Sequence, residues 1–252
     1  MSVVGIIPAR YASTRFPGKP LALIKGKSMI QRVCEQAWKS ALDAVVVATD
    51  DVRIADEVMD FGGQYVLTDP NHRSGTDRCR EALSLLEKPY DAVVNIQGDE
   101  PFIDPAQINQ VIELISRDDV VLASLAKRIE DEDELLSPNT VKVVMDAESN
   151  ALYFSRHPIP FMRNLDRDEW LKKGVFHKHI GIYAYKAETL FQIADMQPAA
   201  LELAESLEQL RWLENGLCIR MGITQVENVS IDTPSDLQRA EQYVQNLNLN
   251  KR

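Results

Sequence analysis

The sequence predicts an α/β fold built on a mostly parallel sheet with helices on both faces. In the first half of the chain, short β-branched runs alternate with longer stretches whose apolar residues recur at helical spacing. The short runs are apolar throughout, which is typical of strands buried on both faces of a parallel sheet. From about residue 120, strand-like runs follow one another with little helix between them. This change predicts a mixed or antiparallel β extension in the second half.

The elements of the first half follow this alternation in chain order. Strands are predicted at residues 3–8, 44–49, 64–68 and 91–97. Helices are predicted at residues 28–41, 52–61, 76–86 and 105–116. Gly62 and Gly63 end the second of these helices, and Pro105 suits the first turn of the fourth.

The second half is predicted to contain more strand than helix until its end. Strand-like segments lie at residues 120–126, 141–146, 151–156 and 179–185. Helices are predicted at residues 207–216, ending at Gly216, and at 233–247 behind a capping sequence. The acidic run at residues 130–134 is interpreted as a solvated turn or helix face.

Composition and charge disfavour several classes of partner, metal site and cellular location. The formal net charge of the 252 residues is -10, so no global positive field attracts nucleic acid or an anionic membrane. The three cysteines have no CxxC spacing, which disfavours a disulfide framework or a zinc ribbon. The first residues do not resemble a signal peptide, and no segment has the length of apolar sequence that a membrane helix needs. We therefore expect a cytoplasmic protein.

The loop that follows the first strand carries cations but no acid. The stretch IIPARYASTRFPGKP contains Arg10, Arg15 and Lys19, whereas the first acidic residue of the chain is Glu35. A loop in this place lies at the carboxyl end of a strand, where open α/β sheets bind ligands. Arginine forks and a lysine ammonium suit a phosphate group. The sequence favours a phosphate site here, with surface ion pairs as the open alternative.

Two further segments extend this predicted site. Residues 74–78 (SGTDR) place small hydroxyls, a glycine and a cation at a helix start, where backbone amides can hold an anion or a base edge. Residues 95–101 (NIQGDEP) end a strand in a Gly-Asp turn, so Asp99 is a candidate Mg²⁺ ligand or simply a turn former. Neither GxGxxG nor a P-loop is present, which disfavours an NAD-dependent oxidoreductase.

Eight segments together resemble one known family, the 3-deoxy-manno-octulosonate cytidylyltransferases. They are IPARYASTRFPGKPL, VATDD, HRSGTDR, NIQGDEP, ALYFSR, HIGIYAY, LEQLRWL and IDTPSDL, in this order along nearly the whole chain. The resemblance implies a Rossmann-like nucleotidyltransferase domain spanning residues 1–252. Residues from 1 to about 125 would bind the nucleotide, and residues from about 126 to 252 would bind the sugar and form a homodimer. The family activates 3-deoxy-manno-octulosonate (Kdo) for lipopolysaccharide synthesis.

The resemblance also implies roles for individual residues. Arg10, Arg15 and Lys19 would contact the triphosphate of CTP. Pro8, Ala9, Ser74, Gly75 and Gln97 would surround the cytosine and ribose, with Thr76 and Arg78 close by. Asp99 and Asp232 would hold Mg²⁺. The sugar would contact Arg156, His179, Tyr183, Tyr185, Glu208 and Gln209.

The expected reaction is Mg²⁺-dependent, in-line attack of the anomeric hydroxyl of Kdo on the α-phosphorus of CTP, giving CMP-Kdo and pyrophosphate. Catalysis of such a transfer consists of alignment and charge neutralisation, for which Arg10, Lys19 and Asp99 are the candidates. Two alternatives stay open: a cytidylyltransferase for another acidic sugar, and a CTP-binding protein without catalysis. The second alternative predicts loss of Asp99 or Asp232, and both are present.

Overall fold

The computed structural model describes residues 1–12, 16–227 and 230–249, with residues 243–249 given by their backbone alone. Its strands are β1 (Val3–Ala9), β2 (Leu23–Ile24), β3 (Lys27–Ser28), β4 (Ala44–Thr49), β5 (Gln64–Leu67), β6 (Ala92–Asn95), β7 (Leu122–Arg128), β8 (Lys142–Met145), β9 (Ala151–Ser155), β10 (His177–Lys186) and β11 (Arg220–Thr224). Its α-helices are α1 (Met29–Ala37), α2 (Val52–Asp60), α3 (Gly75–Leu85), α4 (Pro105–Ile115), α5 (Glu132–Leu136), α6 (Trp170–Lys173), α7 (Ala187–Ala194), α8 (Ala200–Glu205), α9 (Gln209–Glu214) and α10 (Pro234–Leu249).

The chain forms two compact units. The first contains Met1–Ile112 and Asn228–Arg252, and the second contains Glu113–Glu227. The sequence pattern changes near the first of these boundaries, at about residue 120. The return of the C-terminal segment to the first unit is not visible in the pattern, because α10 follows the strand-rich region without any change in composition. The binding roles expected for the two parts of the chain stay predictions.

The first unit is built on four parallel strands in the order β6, β1, β4 and β5. Residues Val4, Ile6 and Ile7 of β1 are fully buried, as expected for a central strand covered on both faces. Helices α1, α2 and α3 pack against these strands. The predicted mostly parallel α/β architecture is therefore confirmed.

Helix α1 ends four residues earlier than its apolar spacing predicts. Ser28 caps its start by accepting a hydrogen bond from the amide of Gln31 at 3.2 Å. At the other end, the Ser40 hydroxyl donates to the carbonyl of Ala37 at 2.6 Å, and the backbone turns there. A side chain that competes for the last helical carbonyls favours a turn over another helical residue.

The second unit is a mixed sheet with antiparallel pairs β7–β10, β10–β8 and β8–β9. The predicted mixed extension is therefore confirmed. Strand β11 adds in parallel to β7, and helices α7 and α8 occupy a region in which the sequence predicts little helix. A bulge between Ile180 and Tyr183 interrupts the pairing of β10 with β7.

Among the described residues, no helix has the length and hydrophobicity required to span a bilayer.

Candidate active site

A polar cleft of about 290 Å³ opens in the first unit, at the carboxyl ends of β1 and β6. Parallel strands present this edge to ligands because the loops that follow them converge there. The lining is rich in cations and contains two carboxylates. It consists of Pro8, Ala9, Arg10, Lys19, Pro20, His72, Arg73, Ser74, Gly75, Arg78, Gln97, Gly98, Asp99 and Asp232. Such a lining suits an anion accompanied by a cation.

The opening loop brings Lys19 back to the cleft. The Gly18 amide donates to the Tyr11 carbonyl at 2.9 Å and so closes the loop. Gly18 has a φ of 71°, a left-handed conformation that favours glycine. A short 3-10 turn at Lys19–Leu21 follows, with Pro20 buried. Of the three loop cations, Arg10 and Lys19 line the cleft, and Arg15 lies outside the described residues.

The ammonium of Lys19 joins the two predicted metal ligands. Its Nζ lies 2.7 Å from Asp99 Oδ2 and 3.3 Å from Asp232 Oδ1, with the lysine side chain only 14% exposed. A backbone hydrogen bond from Ile231 to the Asp99 carbonyl, 2.9 Å long, ties the two aspartate segments together. The fold therefore gathers two carboxylates around one cation position.

These carboxylates fit a hard divalent cation. Mg²⁺ prefers oxygen ligands and is commonly held by one or two protein carboxylates, with waters and substrate phosphates completing its octahedron. Asp99 and Asp232 supply two such carboxylates at a point that already attracts positive charge. Within the described residues, no group of three or more His, Cys, Asp or Glu side chains is arranged for a metal.

Asp236 orders the turn that carries Asp232. Its Oδ2 accepts hydrogen bonds from the amides of Asp232 and Thr233, at 3.1 and 2.8 Å, and from the Thr233 hydroxyl at 2.8 Å. Burial alone would raise the pKa of this carboxyl. The hydrogen bonds from Thr233, Arg239 and the two amides outweigh burial and lower the pKa from 3.8 to about 2.

Asp236→Asn should therefore show a pH-dependent loss of stability. Because folding lowers the pKa of Asp236, its stabilising contribution is complete above the ordinary value of 3.8 and is lost as the pH falls toward 2. We expect the difference in free energy of unfolding between wild type and variant to be clear at pH 6 and to shrink between pH 4 and 3. Urea titrations at each pH measure it. A difference that stays constant with pH would contradict this role of the carboxylate.

Gly98 lets the Asp99 turn approach β1 closely. A Cβ added at Gly98 would lie 2.9 Å from the carbonyl oxygen of Pro8, a backbone atom that cannot move aside. Gly75 also faces Pro8, but there an added Cβ would make an ordinary contact of 3.4 Å with the ring. Of these two glycines, only Gly98 lies where a side chain would clash with the backbone.

Gly98→Ala is expected to destabilise the protein by about 1–3 kcal/mol, the usual cost of overpacking. It should also shift Asp99 away from Lys19. Gly75→Ala is the matched control and should cost little, since alanine favours a helical first turn. Urea unfolding of both variants measures the effect, and equal stability of the two would refute the steric argument.

Helix α3 begins at the cleft with a capping box. The Ser74 hydroxyl accepts from the amide of Asp77 at 3.1 Å, and the Asp77 carboxylate accepts from the amide of Ser74 at 3.2 Å. This arrangement holds Ser74 and Gly75 at the cleft wall. Thr76, the next residue, is buried and does not line the cleft.

Arg78 lines the cleft although it is only 4% exposed. Its Nη1 donates to the Thr68 hydroxyl at 2.5 Å, and its Nη2 lies 3.5 Å from Asp50 Oδ2. Asp50 thus offsets part of the positive charge of Arg78. The guanidinium therefore contributes to the cleft mainly as a set of directed N–H donors. Fixed donors of this kind suit a base edge or a ribose oxygen.

The sequence interpretation missed four cleft residues. They are Pro20, His72, Arg73 and Gly98. His72 Nε2 lies 2.5 Å from Glu81 Oε2, a contact that ties this histidine to helix α3. Arg73 adjoins the SGTDR segment, so its charge next to a predicted anion site is the signal that would have identified it.

The predicted sugar residues lie in the second unit. His179 packs with ring centroids 5.2 Å from Phe154 and 5.2 Å from Tyr183, and Tyr183 stacks on Tyr185 at 5.9 Å. Burial lowers the pKa of His179 to about 3, so the imidazole is neutral. Burial, with a smaller contribution from Glu208, raises the pKa of Tyr183 well above its usual value.

Hydrogen bonding selects the tautomer of His179. The Ser124 hydroxyl has one proton, which it donates to the Ile182 carbonyl at 2.8 Å. His179 Nε2 lies 2.9 Å from the same hydroxyl oxygen and therefore donates to it. Nδ1 is left as the acceptor nitrogen of the ring.

Backbone carbonyls hold the Arg156 guanidinium in place. Its Nε, Nη1 and Nη2 donate to Glu205, Pro138 and Ser206 at 2.7, 3.0 and 3.2 Å. The buried Lys142 ammonium in turn donates to the Arg156 carbonyl at 2.6 Å. Gln209 is buried at the start of α9, next to the half-buried Glu208.

Most predicted nucleotide and metal residues therefore meet in one cleft. The structure brings together Pro8, Ala9, Arg10, Lys19, Ser74, Gly75, Arg78, Gln97, Asp99 and Asp232. Their roles in binding and catalysis stay predictions, as do those of the six sugar residues.

Known proteins with similar sequences and structures agree on one family. The cytidylyltransferase family model matches residues 4–223. A 3-deoxy-manno-octulosonate cytidylyltransferase of Cytophaga hutchinsonii is 55% identical, with 95% of this chain and 96% of that protein covered. One of Parabacteroides distasonis is 53% identical, with coverage of 98% and 99%.

Solved structures give the same result. A CMP:2-keto-3-deoxy-manno-octonic acid synthetase complexed with CTP superposes with a TM-score of 0.91 at 40% identity, covering 98% of this chain and 99% of that one. A 4-diphosphocytidyl-2C-methyl-D-erythritol synthase of Anaerococcus prevotii, 15% identical with a TM-score of 0.63 and coverage of 97% and 96%, shares the fold. By family match and by identity above one half over nearly its full length, this chain belongs to the 3-deoxy-manno-octulosonate cytidylyltransferases, a family of nucleotidyltransferases.

Proposed function

We propose that the protein transfers CMP from CTP to Kdo, giving CMP-Kdo and pyrophosphate. The observation that carries the proposal is the cleft itself, in which Arg10 and Lys19 meet Asp99 and Asp232 beside the start of α3. A nucleoside triphosphate supplies the matching charges. The named relatives are similar in sequence, and the CTP-bound structure is similar in fold, over nearly the whole chain. The product would serve lipopolysaccharide synthesis.

In the proposed reaction, the anomeric oxygen of Kdo forms a bond to the α-phosphorus while the bond to the pyrophosphate oxygen breaks. The proton of the attacking hydroxyl is released to water. Arg10 and Lys19 would neutralise charge on the triphosphate and on the departing pyrophosphate. Gln97, Arg78 and the Ser74–Gly75 backbone would orient the nucleoside, which supplies the alignment that phosphoryl chemistry requires.

Asp99 and Asp232 would hold Mg²⁺. When bound, this ion would neutralise α-phosphate charge and acidify the attacking hydroxyl. Lys19 now bridges both carboxylates, so ion and nucleotide binding would exchange these contacts and turn the ammonium toward the phosphates.

The sugar is assigned to the second unit. Arg156 uses three of its five N–H donors on backbone carbonyls and offers the others to the Kdo carboxylate. The neutral His179 would accept a hydroxyl proton at Nδ1, and Tyr183, Tyr185, Glu208 and Gln209 would complete the sugar contacts. Ring packing of Tyr183 with Tyr185 and Trp212 would restrict the movement of the two tyrosines.

We also infer a homodimer in the cytoplasm. The second unit exposes large apolar side chains at Leu152, Phe161 and Leu203, with exposed fractions of 61%, 70% and 69%. All three cysteines are free thiols, which fits a reducing compartment that contains CTP. Sedimentation equilibrium tests the assembly, and a mass of one chain at micromolar concentration would contradict it.

Pyrophosphate release tests the function directly. CTP, UTP, ATP and GTP are each incubated with Mg²⁺, with and without Kdo. Release with CTP only when Kdo is present is the expected result. Release with a different acidic sugar instead would keep the chemistry and change the acceptor, whereas silence with every sugar alongside tight CTP binding would favour a binding protein.

A further inference from the structure

A group of four residues outside the cleft fixes the two ends of the opening loop. The Tyr11 side chain is close to both Arg53 and Gly18, with Arg53 Cζ 3.3 Å from the ring centroid. A Cβ added at Gly18 would lie 3.2 Å from Cε2, Cζ and the hydroxyl oxygen of Tyr11, a tight contact at a left-handed φ of 71°, so glycine favours this approach. Asp51 completes the group, which we call the loop clamp.

Arg53 is itself held in place by the first turn of α2. Its Nε donates to Asp51 Oδ1 at 2.9 Å and its Nη2 to Asp51 Oδ2 at 2.6 Å, a bidentate pair. Asp51 is the N-cap of α2 and also accepts from the Arg53 amide at 3.0 Å. Since α2 follows β4, which pairs directly with β1, the clamp crosses from one strand end to the next.

The position of the clamp connects it with the triphosphate site. Tyr11 directly follows Arg10, and Gly18 directly precedes Lys19; both of these cations line the cleft. Tyr11 and Arg53 do not line it. The hydrogen bond from Gly18 to the Tyr11 carbonyl, at 2.9 Å, fixes the distance between the two loop ends.

We infer that Arg53 and Tyr11 are positioning residues that hold Arg10 and Lys19 at the separation a triphosphate requires. The inference rests on the proposed use of CTP. A loop that becomes ordered only when a ligand binds loses conformational entropy, which lowers the affinity. A loop whose ends are already fixed loses less entropy on binding. Arg53 stacks on the face of the Tyr11 ring and is fixed by its bidentate pair with Asp51, so it can keep the loop ends ordered at a solvent-accessible site. Lysine lacks the planar fork and is a poor substitute.

A double-mutant cycle tests the clamp. Arg53→Ala and Tyr11→Leu should each raise the Kd and the KM for CTP about 5-fold, by losing one partner of the stack. The double variant should be no weaker than either single variant, because Arg53 acts only through Tyr11. Tyr11→Phe keeps the ring and should bind CTP as tightly as wild type, whereas Arg53→Lys should bind CTP as weakly as Arg53→Ala. The KM for Kdo and the melting temperature should stay unchanged.

Controls separate positioning from simple loss of charge. Lys27 forms an exposed ion pair with Glu35 and is not a cleft residue, so Lys27→Gln measures the effect of removing one surface cation. An Arg53→Ala effect no larger than that of Lys27→Gln, or effects of Arg53→Ala and Tyr11→Leu that add, would overturn the inference. A wild-type Kd for CTP in Arg53→Lys would also overturn the inference. Absence of CTP binding by the wild type would refute the proposed function instead, so the two failures are distinguishable.

Discussion

Lys19→Gln is expected to lower kcat/KM for CTP by about three orders of magnitude. Loss of one charge-stabilising donor in a preorganised site costs about 10²–10³-fold in turnover. The glutamine also leaves Asp99 and Asp232 without the cation that separates them, so two carboxylates would face an incoming triphosphate. Both the affinity for CTP and the rate of the transfer should therefore fall.

Steady-state pyrophosphate release and direct CTP titration measure these two effects separately. Lys27→Gln serves again as the control for removal of a lysine, and it should behave as wild type. Raising the Mg²⁺ concentration should recover part of the CTP affinity in Lys19→Gln, since added cations screen the two aspartates. A Lys19→Gln variant with wild-type kcat/KM would remove this lysine from the catalytic machinery.

The sequence predicts the first unit well because its strands are short, apolar and bounded by turn residues. Strand β4 falls at residues 44–49 as predicted, and α3 differs from its prediction by one residue at each end. Gly18, Pro20 and Gly98 stand at the points where the backbone must turn or approach closely, and each is visible in the sequence. The convergence of strand ends then brings predicted site residues into one cleft without any knowledge of their contacts.

What the sequence does not predict are contacts between distant segments. Lys19 is 80 residues from Asp99 and 213 from Asp232, so nothing in their local patterns indicates that one ammonium bridges both. The Tyr11–Arg53 stack is hidden for the same reason. The acidic run is a similar case: Glu134, interpreted as solvated, pairs with Lys178, a buried lysine of β10. Lys178 is buried, and its charge is stabilised there by the ion pair with Glu134.

The second unit is less predictable because its helices are short. Helix α8 has six residues, too few for helical spacing to be distinguished from other patterns, whereas α9 lies within the helix predicted at residues 207–216. Strand β11 is hidden in a segment with a polar start and a glycine at its centre. For the sugar residues, only the resemblance to a family supplies roles, since two buried tyrosines on one strand equally describe a packed core.

Asp99→Asn is expected to separate binding from chemistry. The substitution removes a negative charge from the cleft and keeps the shape of the side chain, so CTP should bind at least as tightly as in wild type. Turnover should nevertheless fall by at least about 10²-fold, because one of the two carboxylates proposed to hold Mg²⁺ is lost. Asp104→Asn is the matched control: Asp104 accepts a hydrogen bond from the Ala106 amide and does not line the cleft.

The two possible roles of Asp99 make opposite predictions for this variant. If the carboxylate served only to hold Lys19, releasing the ammonium toward the triphosphate would strengthen CTP binding and leave most of the turnover, since the amide oxygen still offers Lys19 a partner. If it holds a cation, turnover falls, and Mn²⁺ binding in the presence of CTP, measured by electron paramagnetic resonance, weakens in parallel. Wild-type turnover of Asp99→Asn at saturating Mg²⁺ would therefore exclude the ligand role. A loss of turnover together with intact Mn²⁺ binding would contradict both roles, because the ion would then be held without Asp99 and a role limited to holding Lys19 would have left most of the turnover.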